Sequence, residues 1–409
     1  MGKTSYLKLH YHPKSQREII ATFYVESKLP LKKAASEIAA ESSIGTWTKV
    51  TTLTPEIFKK LSAKVFYLNP RQKIVKIAYP LALFELGNLP QLLSSIGGNI
   101  FSMKIIKNLR LLDLEFPDKY INSYQGPKYG IKGIRNILGI EQRPIIGAIM
   151  KPKVGLNPKQ YATLAESLWR GGVDVIKDDE NLTDLSFNHF KDRVKQILKT
   201  QKKLAKELNQ KKIYIFNVSA PFVEMLARAN LVKKAGGRCV MIDIVSTGLD
   251  NVQSLRQKDL GLILHGHRAG HSLFTRNPKH GLTMLVLAKL ARLAGVDQLH
   301  TGTVVGKMEG SANEVIAINK FLKSPFGKLK PVLPIASGGL HPGLVSKLIK
   351  ILGKDLIINF GGGLHGHPDG SAEGAAACFA AVEATMKNIQ LNKYSNNHLA
   401  LKKALEHWK

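Results

Sequence analysis

Gly171-Gly172-Val173-Asp174-Val175-Ile176-Lys177-Asp178-Asp179-Glu180-Asn181 is the stretch on which the fold turns. Its apolar, β-branched run from Val173 to Ile176 ends in a lysine and three consecutive carboxylates. A short apolar run bounded by polar residues reads as a buried strand. Side chains alternate across a strand, so Lys177 and Asp179 point one way and Asp178 the other, with Glu180 at the loop entry. An amine and two carboxylates can then surround one hard cation, and magnesium takes oxygen ligands of this kind. Taken alone, the stretch reads equally as a solvated acidic turn.

Working outward, the same rhythm repeats. Apolar runs recur at 144–150, 173–176, 213–217, 240–245, 262–267, 298–301, 332–336 and 356–360. Between them lie segments with period-3.6 apolar faces, such as 161–169, 222–235, 283–293 and 314–322. About eight strand–helix units in succession predict an α/β fold whose C-terminal part is a (β/α)8 barrel. A doubly wound open sheet is the alternative, but no G-x-G-x-x-G follows the first strand. Upstream the pattern is irregular. Strands are expected at 18–26, 63–68 and 73–79, and helices at 31–40, 55–61 and 91–96, which is α+β patterning. Pro117 and the segment 122–127 mark the boundary. The expected division is an α+β N-terminal domain over 1–125 and a barrel with a helical tail over 126–409.

A barrel places its chemistry just past the C-terminal ends of its strands. Those positions carry Lys151-Pro152-Lys153, Lys177 to Glu180, Asn217, Asp243, His265-Gly266-His267-Arg268, His300-Thr301-Gly302-Thr303, Ser337-Gly338-Gly339 and Gly361-Gly362-Gly363. So many polar groups at matching points of one rhythm are not a packing pattern. The glycine loops at 338–339 and 361–363 let backbone N–H groups approach a phosphate. Arg268 and His300 can hold a second one, which suggests a bisphosphate. Lys151, Lys153 and Lys177 crowd onto one face, where cations lower one another's pKa. His267 can move protons. Gly302 to Gly310, with Lys307 between glycines, reads as a hinged lid.

Composition narrows the rest. The chain has 409 residues, 44% hydrophobic and 22% charged, with two cysteines, Cys239 and Cys378, in apolar surroundings. No apolar run is long enough to span a bilayer, and the first residues lack an apolar signal core, so a cytoplasmic protein is expected. Sixty Lys and Arg against 30 Asp and Glu give a net charge of +30. The excess is spread over helix surfaces without interleaved aromatics, so no nucleic-acid role is expected.

The segments 147–153, 171–181, 267–268, 300–307, 337–339 and 360–363, with Glu41 to Trp47 and Gly98-Asn99 upstream, resemble the large subunit of ribulose-1,5-bisphosphate carboxylase/oxygenase (RuBisCO). The likeness runs from about residue 15 to 385, and 274–281 and 307–310 look most like the archaeal-type, form III branch. The resemblance implies a Mg2+-dependent carboxylase with an oxygenase side reaction. Lys177 would carry CO2 as a carbamate and hold Mg2+ with Asp179 and Glu180. The carbamate would take a proton from the sugar bisphosphate, CO2 would add to the enediolate, and cleavage would give two 3-phosphoglycerates. Lys151 would act at the reacting carbons with Lys153 beside it, and His267 would bind substrate oxygens. Lys307 would pair with Glu41 over the new carboxylate. Thr46, Trp47, Gly339, Gly361 and Gly362 would hold one phosphate, and Arg268 and His300 the other, with Ser337 and Gly338 beside the sugar. Glu41, Thr46, Trp47 and Asn99 would reach into the barrel of a second subunit, which implies a homodimer or an assembly of dimers. No small subunit is expected, and a place in nucleotide-ribose salvage or in a carbon-fixing cycle is implied. The rival within the same resemblance is a RuBisCO-like enolase or isomerase acting on a phosphorylated ketose. Gly266, Gly270 and Asn359 stand where relatives usually carry other residues.

Overall fold

The computed structural model describes residues 5–46, 48, 50–306 and 311–408. Contacts divide the chain into two compact units: Met1–Gln125 with Gly270–Ala294 and Phe326–Leu329, and Gly126–Ala269 with Gly295–Pro325 and Lys330–Lys409.

The first unit is built on a five-stranded sheet. Strands β1 (Glu18–Ser27), β2 (Lys64–Asn69), β3 (Ile74–Pro80) and β4 (Ile106–Glu115) are antiparallel neighbours in the order β4-β1-β3-β2. The expected strands at 18–26, 63–68 and 73–79 correspond to β1, β2 and β3. β4 was not expected. Leu112 is its bulge, since Thr22 pairs with Asp113 and the next residue, Phe23, with Leu111. That extra residue breaks the period-2 signal by which strands are read. The helix expected at 283–293 runs Met284–Ala294 but groups with this unit, not with the barrel.

The second unit contains a closed barrel of eight parallel strands. They are β5 (Ile145–Ile149), β6 (Val175–Lys177), β7 (Ile213–Asn217), β8 (Cys239–Asp243), β9 (Ile263–His267), β11 (Gln298–His300), β12 (Leu333–Ser337) and β13 (Ile357–Phe360). Between β9 and β11, the two-residue strand β10 (Gly281–Leu282) leaves the barrel and pairs parallel with β4 in the first sheet. Alternation orders the barrel interior. Ile145, Val175, Ile213, Ile215, Cys239, Met241, Ile263, Leu333, Ile335 and Ile357 form one buried cluster with Ile134 and Leu138 of the helix Gly130–Leu138. Two residues further along the same strand faces, this apolar set gives way to Lys177, Asn217, Asp243, His265, Ser337 and Asn359. One strand periodicity thus supplies both the core and the polar groups at its C-terminal end.

Among the described residues, no helix is long and apolar enough to cross a membrane.

Candidate active site at the C-terminal end of the barrel

β6 ends at Lys177, one residue later than the expected run, and the next three residues part company. Lys177, Asp178 and Asp179 are all buried. Asp178 faces away from the lumen. Its carboxylate accepts from the Tyr214 hydroxyl at 2.7 Å, the Asn217 backbone N–H at 2.9 Å and the Arg193 guanidinium at 3.3 Å. Burial pushes this carboxyl up, opposed first by Arg193.

Lys177 and Asp179 take the other side. Lys177 Nζ donates to the Asp178 carbonyl at 2.8 Å, with Met241 Sδ at 3.6 Å and Glu180 Oε2 at 3.7 Å. Burial lowers the pKa of this amine, and the facing carboxylates, Glu180 first, oppose the shift. Lys151 contributes only as the smallest cause, so enclosure and not crowding of cations depresses it. Asp179 Oδ2 accepts from Lys151 Nζ at 2.9 Å, and its Oδ1 accepts from the Asn181 side chain at 3.1 Å. The Asn217 side chain donates to the Glu180 carbonyl at 3.0 Å and so braces the loop that carries both carboxylates.

His267, at the end of β9, lies with Nε2 3.6 Å from Glu180 Oε2 and Nδ1 3.9 Å from Asp243 Oδ1. Its Nδ1 accepts from the Ala269 N–H at 3.2 Å, which leaves the proton on Nε2, toward Glu180. Asp243 is pushed up to about 7, by burial first and then by Glu180. Its Oδ1 is buried without a hydrogen bond.

His300 is enclosed, with Nε2 2.8 Å from His265 Nε2 and Nδ1 2.8 Å from Ser337 Oγ. Arg268 follows β9, and burial brings its guanidinium down to about 10. Gly302 has φ +88°, and a Cβ there would stand 2.6 Å from Arg268 Nη2, so only glycine lets the arginine lie against this turn. A Cβ on Gly306 would stand 3.1 Å from the Gly338 carbonyl, so the loops after β11 and β12 touch. Gly339 and Gly362 are exposed, and a Cβ on Gly361 would lie 3.8 Å from Lys151 Cε.

The barrel end therefore gathers Lys151, Lys177, Asp179, Glu180, His267, Arg268, His300, Ser337, Gly338, Gly339, Gly361 and Gly362. Lys153 stands apart as an exposed loop residue beyond the end of β5. In the first unit, Asn99 donates to Glu41 Oε1 at 3.4 Å, and Thr46 is exposed. Trp47 and Lys307 lie outside the described residues. Sequence reading passed over Arg193, Tyr214 and Gln298. Only Arg193 left a signal: it occupies an apolar-stripe position, between Phe190 and Val194, Ile197, of the helix Phe190–Glu207.

Among the described residues, no three His, Cys, Asp or Glu side chains converge as a ready metal site. Asp179 and Glu180 supply two carboxylates with the Lys177 amine beside them. A carbamate on that amine would complete an all-oxygen donor set, which fits a hard divalent cation. A separate cavity of about 740 Å³ lies at the opposite end of the strands and includes Arg143 and Asp174. Those two already pair at 2.6 Å.

Comparison with known proteins identifies the family. Residues 130–408 match the model of the ribulose bisphosphate carboxylase large chain, catalytic domain, and residues 5–120 match that of its N-terminal domain. The ribulose bisphosphate carboxylase of Methanocaldococcus jannaschii is 46% identical, over 99% of this chain and 100% of that protein. The one from Pyrococcus abyssi is 48% identical, over 98% and 96%. The octameric Rubisco of Pyrococcus horikoshii, in complex with sulfate, superposes with TM-score 0.95 at 47% identity, over 98% and 96% of the two chains. The dimeric archaeal Rubisco of Hyperthermus butylicus gives 0.92 at 41%, over 98% of each. The chain belongs to the ribulose bisphosphate carboxylase large-chain family.

Proposed function

We propose that this chain is a ribulose-1,5-bisphosphate carboxylase, with an oxygenase side reaction, that works at the C-terminal end of the barrel. The observation that carries the reading is Lys177: a fully enclosed amine of lowered pKa, flanked by two carboxylates that need a third anionic partner to hold a cation. CO2 reacts with a neutral amine, and enclosure favours that form. Lys177 as its carbamate, with Asp179 and Glu180, would hold Mg2+. When bound, the ion supplies Lewis-acid stabilisation of negative charge on substrate oxygens.

The chain's own groups do the rest. Lys177, once carbamylated, would also supply a base facing the substrate carbon. Lys151, held against Asp179, delivers a proton to the reacting carbons, while Lys153 stands on the exposed loop past β5. His267, its proton on Nε2, meets substrate oxygens. Arg268 binds one phosphate of the sugar bisphosphate, and His300, whose two ring nitrogens already meet His265 and Ser337, lines that side of the site. Gly339, Gly361 and Gly362 cradle the other with Thr46 and Trp47, and Ser337 and Gly338 line the sugar. Lys307 and Glu41 act on the incoming CO2, with Asn99 beside Glu41. The division at residue 125 separates the domain that carries Glu41, Thr46 and Asn99 from the domain that carries the rest.

Supply of Glu41, Thr46, Trp47 and Asn99 from a second copy makes a homodimer the smallest active unit, and dimeric and octameric relatives support that reading. A cytoplasmic enzyme without a small subunit, serving nucleotide-ribose salvage or a carbon-fixing cycle, completes the proposal. The test is incorporation of labelled CO2 into acid-stable product from ribulose bisphosphate, with Mg2+ and bicarbonate. A folded, oligomeric protein that incorporates no label rejects it.

A further inference from the structure

The buried histidine pair of the barrel has a direction. Gln298 and His265 are register partners on β11 and β9. From them runs a chain of short contacts. His265 Nδ1 is 2.9 Å from Gln298 Oε1, His265 Nε2 is 2.8 Å from His300 Nε2, and His300 Nδ1 is 2.8 Å from Ser337 Oγ. Burial brings His265 down to about 3 and His300 well below its ordinary value, so both rings are neutral near pH 7. A neutral imidazole has one N–H and one lone pair, and an amide oxygen only accepts. His265 therefore carries its proton on Nδ1, toward Gln298. Its Nε2 accepts, so His300 carries its proton on Nε2. His300 Nδ1 is then a lone pair, and the Ser337 hydroxyl donates to it.

We propose that Gln298, acting through His265 and His300, is a positioning residue that makes the Ser337 hydroxyl a hydrogen-bond acceptor toward the bound sugar. The proposal rests on the reading of the barrel end as the sugar-bisphosphate site. A hydroxyl whose hydrogen is committed to His300 presents lone pairs to the ligand. It matches a sugar hydroxyl, which donates, and mismatches a phosphate oxygen, which accepts. Turning the Gln298 carboxamide over would reverse every step: both ring protons would change nitrogens, and Ser337 would become the donor.

The experiment has two readouts. The first is long-range 1H–15N NMR of protein labelled with 15N-histidine, which identifies the protonated nitrogen of each neutral ring. The expected result is Nδ1–H on His265 and Nε2–H on His300, kept in Gln298→Glu and mixed in Gln298→Leu. The second is steady-state carboxylation. Loss of one well-oriented hydrogen bond predicts a KM for ribulose bisphosphate roughly fivefold higher in Gln298→Leu, with kcat less affected and Gln298→Glu near wild type. In a Ser337→Ala background, Gln298→Leu should add no further effect. Reversed tautomers in the wild type, or an undiminished Gln298→Leu effect in the Ser337→Ala background, would overturn the proposal. If Gln298→Leu does not fold, the wild-type and Gln298→Glu spectra still decide. Predicted tautomers in a protein without carboxylation would support the relay while rejecting the functional reading.

Discussion

Lys151 Nζ lies 2.9 Å from Oδ2 of Asp179, a carboxylate with no exposed surface. The lysine thus neutralises an oxygen that a bound cation would also claim. Removing the amine leaves a buried charge without its partner. Lys151→Met should lower metal-free stability by roughly 1–3 kcal/mol, the Lys side being part-exposed, and should enlarge the stabilisation gained from Mg2+. Denaturant unfolding with and without Mg2+ checks this. An equal Mg2+ increment in both proteins would show that the two cations do not compete.

Lys177 predicts the pH course of activation. Its lowered pKa means that the neutral amine is populated at lower pH than for an ordinary lysine. Carbamylation should rise with pH through that value and then level off, followed as a 13C carbamate signal under 13C-bicarbonate. Lys177→Met should lose that signal and lose carboxylation by on the order of 10³-fold or more. It should fold normally, because a buried amine is exchanged for an apolar chain of similar length.

His265 predicts acid sensitivity. Its folded pKa of about 3 lies below the ordinary value of 6.5. Between these values the unfolded chain holds the proton and the folded chain does not. Stability is therefore fully present above about pH 6.5 and falls as pH drops toward 3, by on the order of a few kcal/mol. Urea titrations of wild type and His265→Gln across this window should show a shallower decline in the variant. Parallel curves would mean that other groups carry the acid response.

Gly302 predicts a binding defect. An alanine there meets both a φ of +88° and the guanidinium of Arg268. Strain of about 1–2 kcal/mol, relieved by displacing Arg268, should raise KM for the bisphosphate roughly tenfold, more than it lowers kcat. A KM unchanged from wild type would separate Arg268 from substrate binding.

What could be read from the chain was whatever strand periodicity dictates. The opposed directions of Asp178 and Asp179, the eight-strand rhythm and the strand ends bearing polar residues are all local, period-2 information. The partners that give those groups their character are not. Arg193 and Tyr214 reach Asp178 from 15 and 36 positions away, the first by helix-on-strand packing and the second from the paired strand β7. Gln298 meets His265 only through the cross-strand register of β9 and β11, which local periodicity does not state. Lys153 is two residues past Lys151, yet β5 has ended and the loop carries it into solvent, where alternation has no authority. β4 was hidden by the bulge at Leu112.

The opposite orientations of Asp178 and Asp179 limit how this segment can change. Deleting or inserting one residue between Val175 and Asp179 would rotate each side chain to the other face. An acid would then be lost from the grip of Arg193, Tyr214 and Asn217, and the amine would turn toward the barrel wall. Point substitutions there damage one group at a time, whereas a single-residue change in length would dismantle wall and lumen together. Length polymorphism should therefore be found in the loops on either side of this strand and not within it.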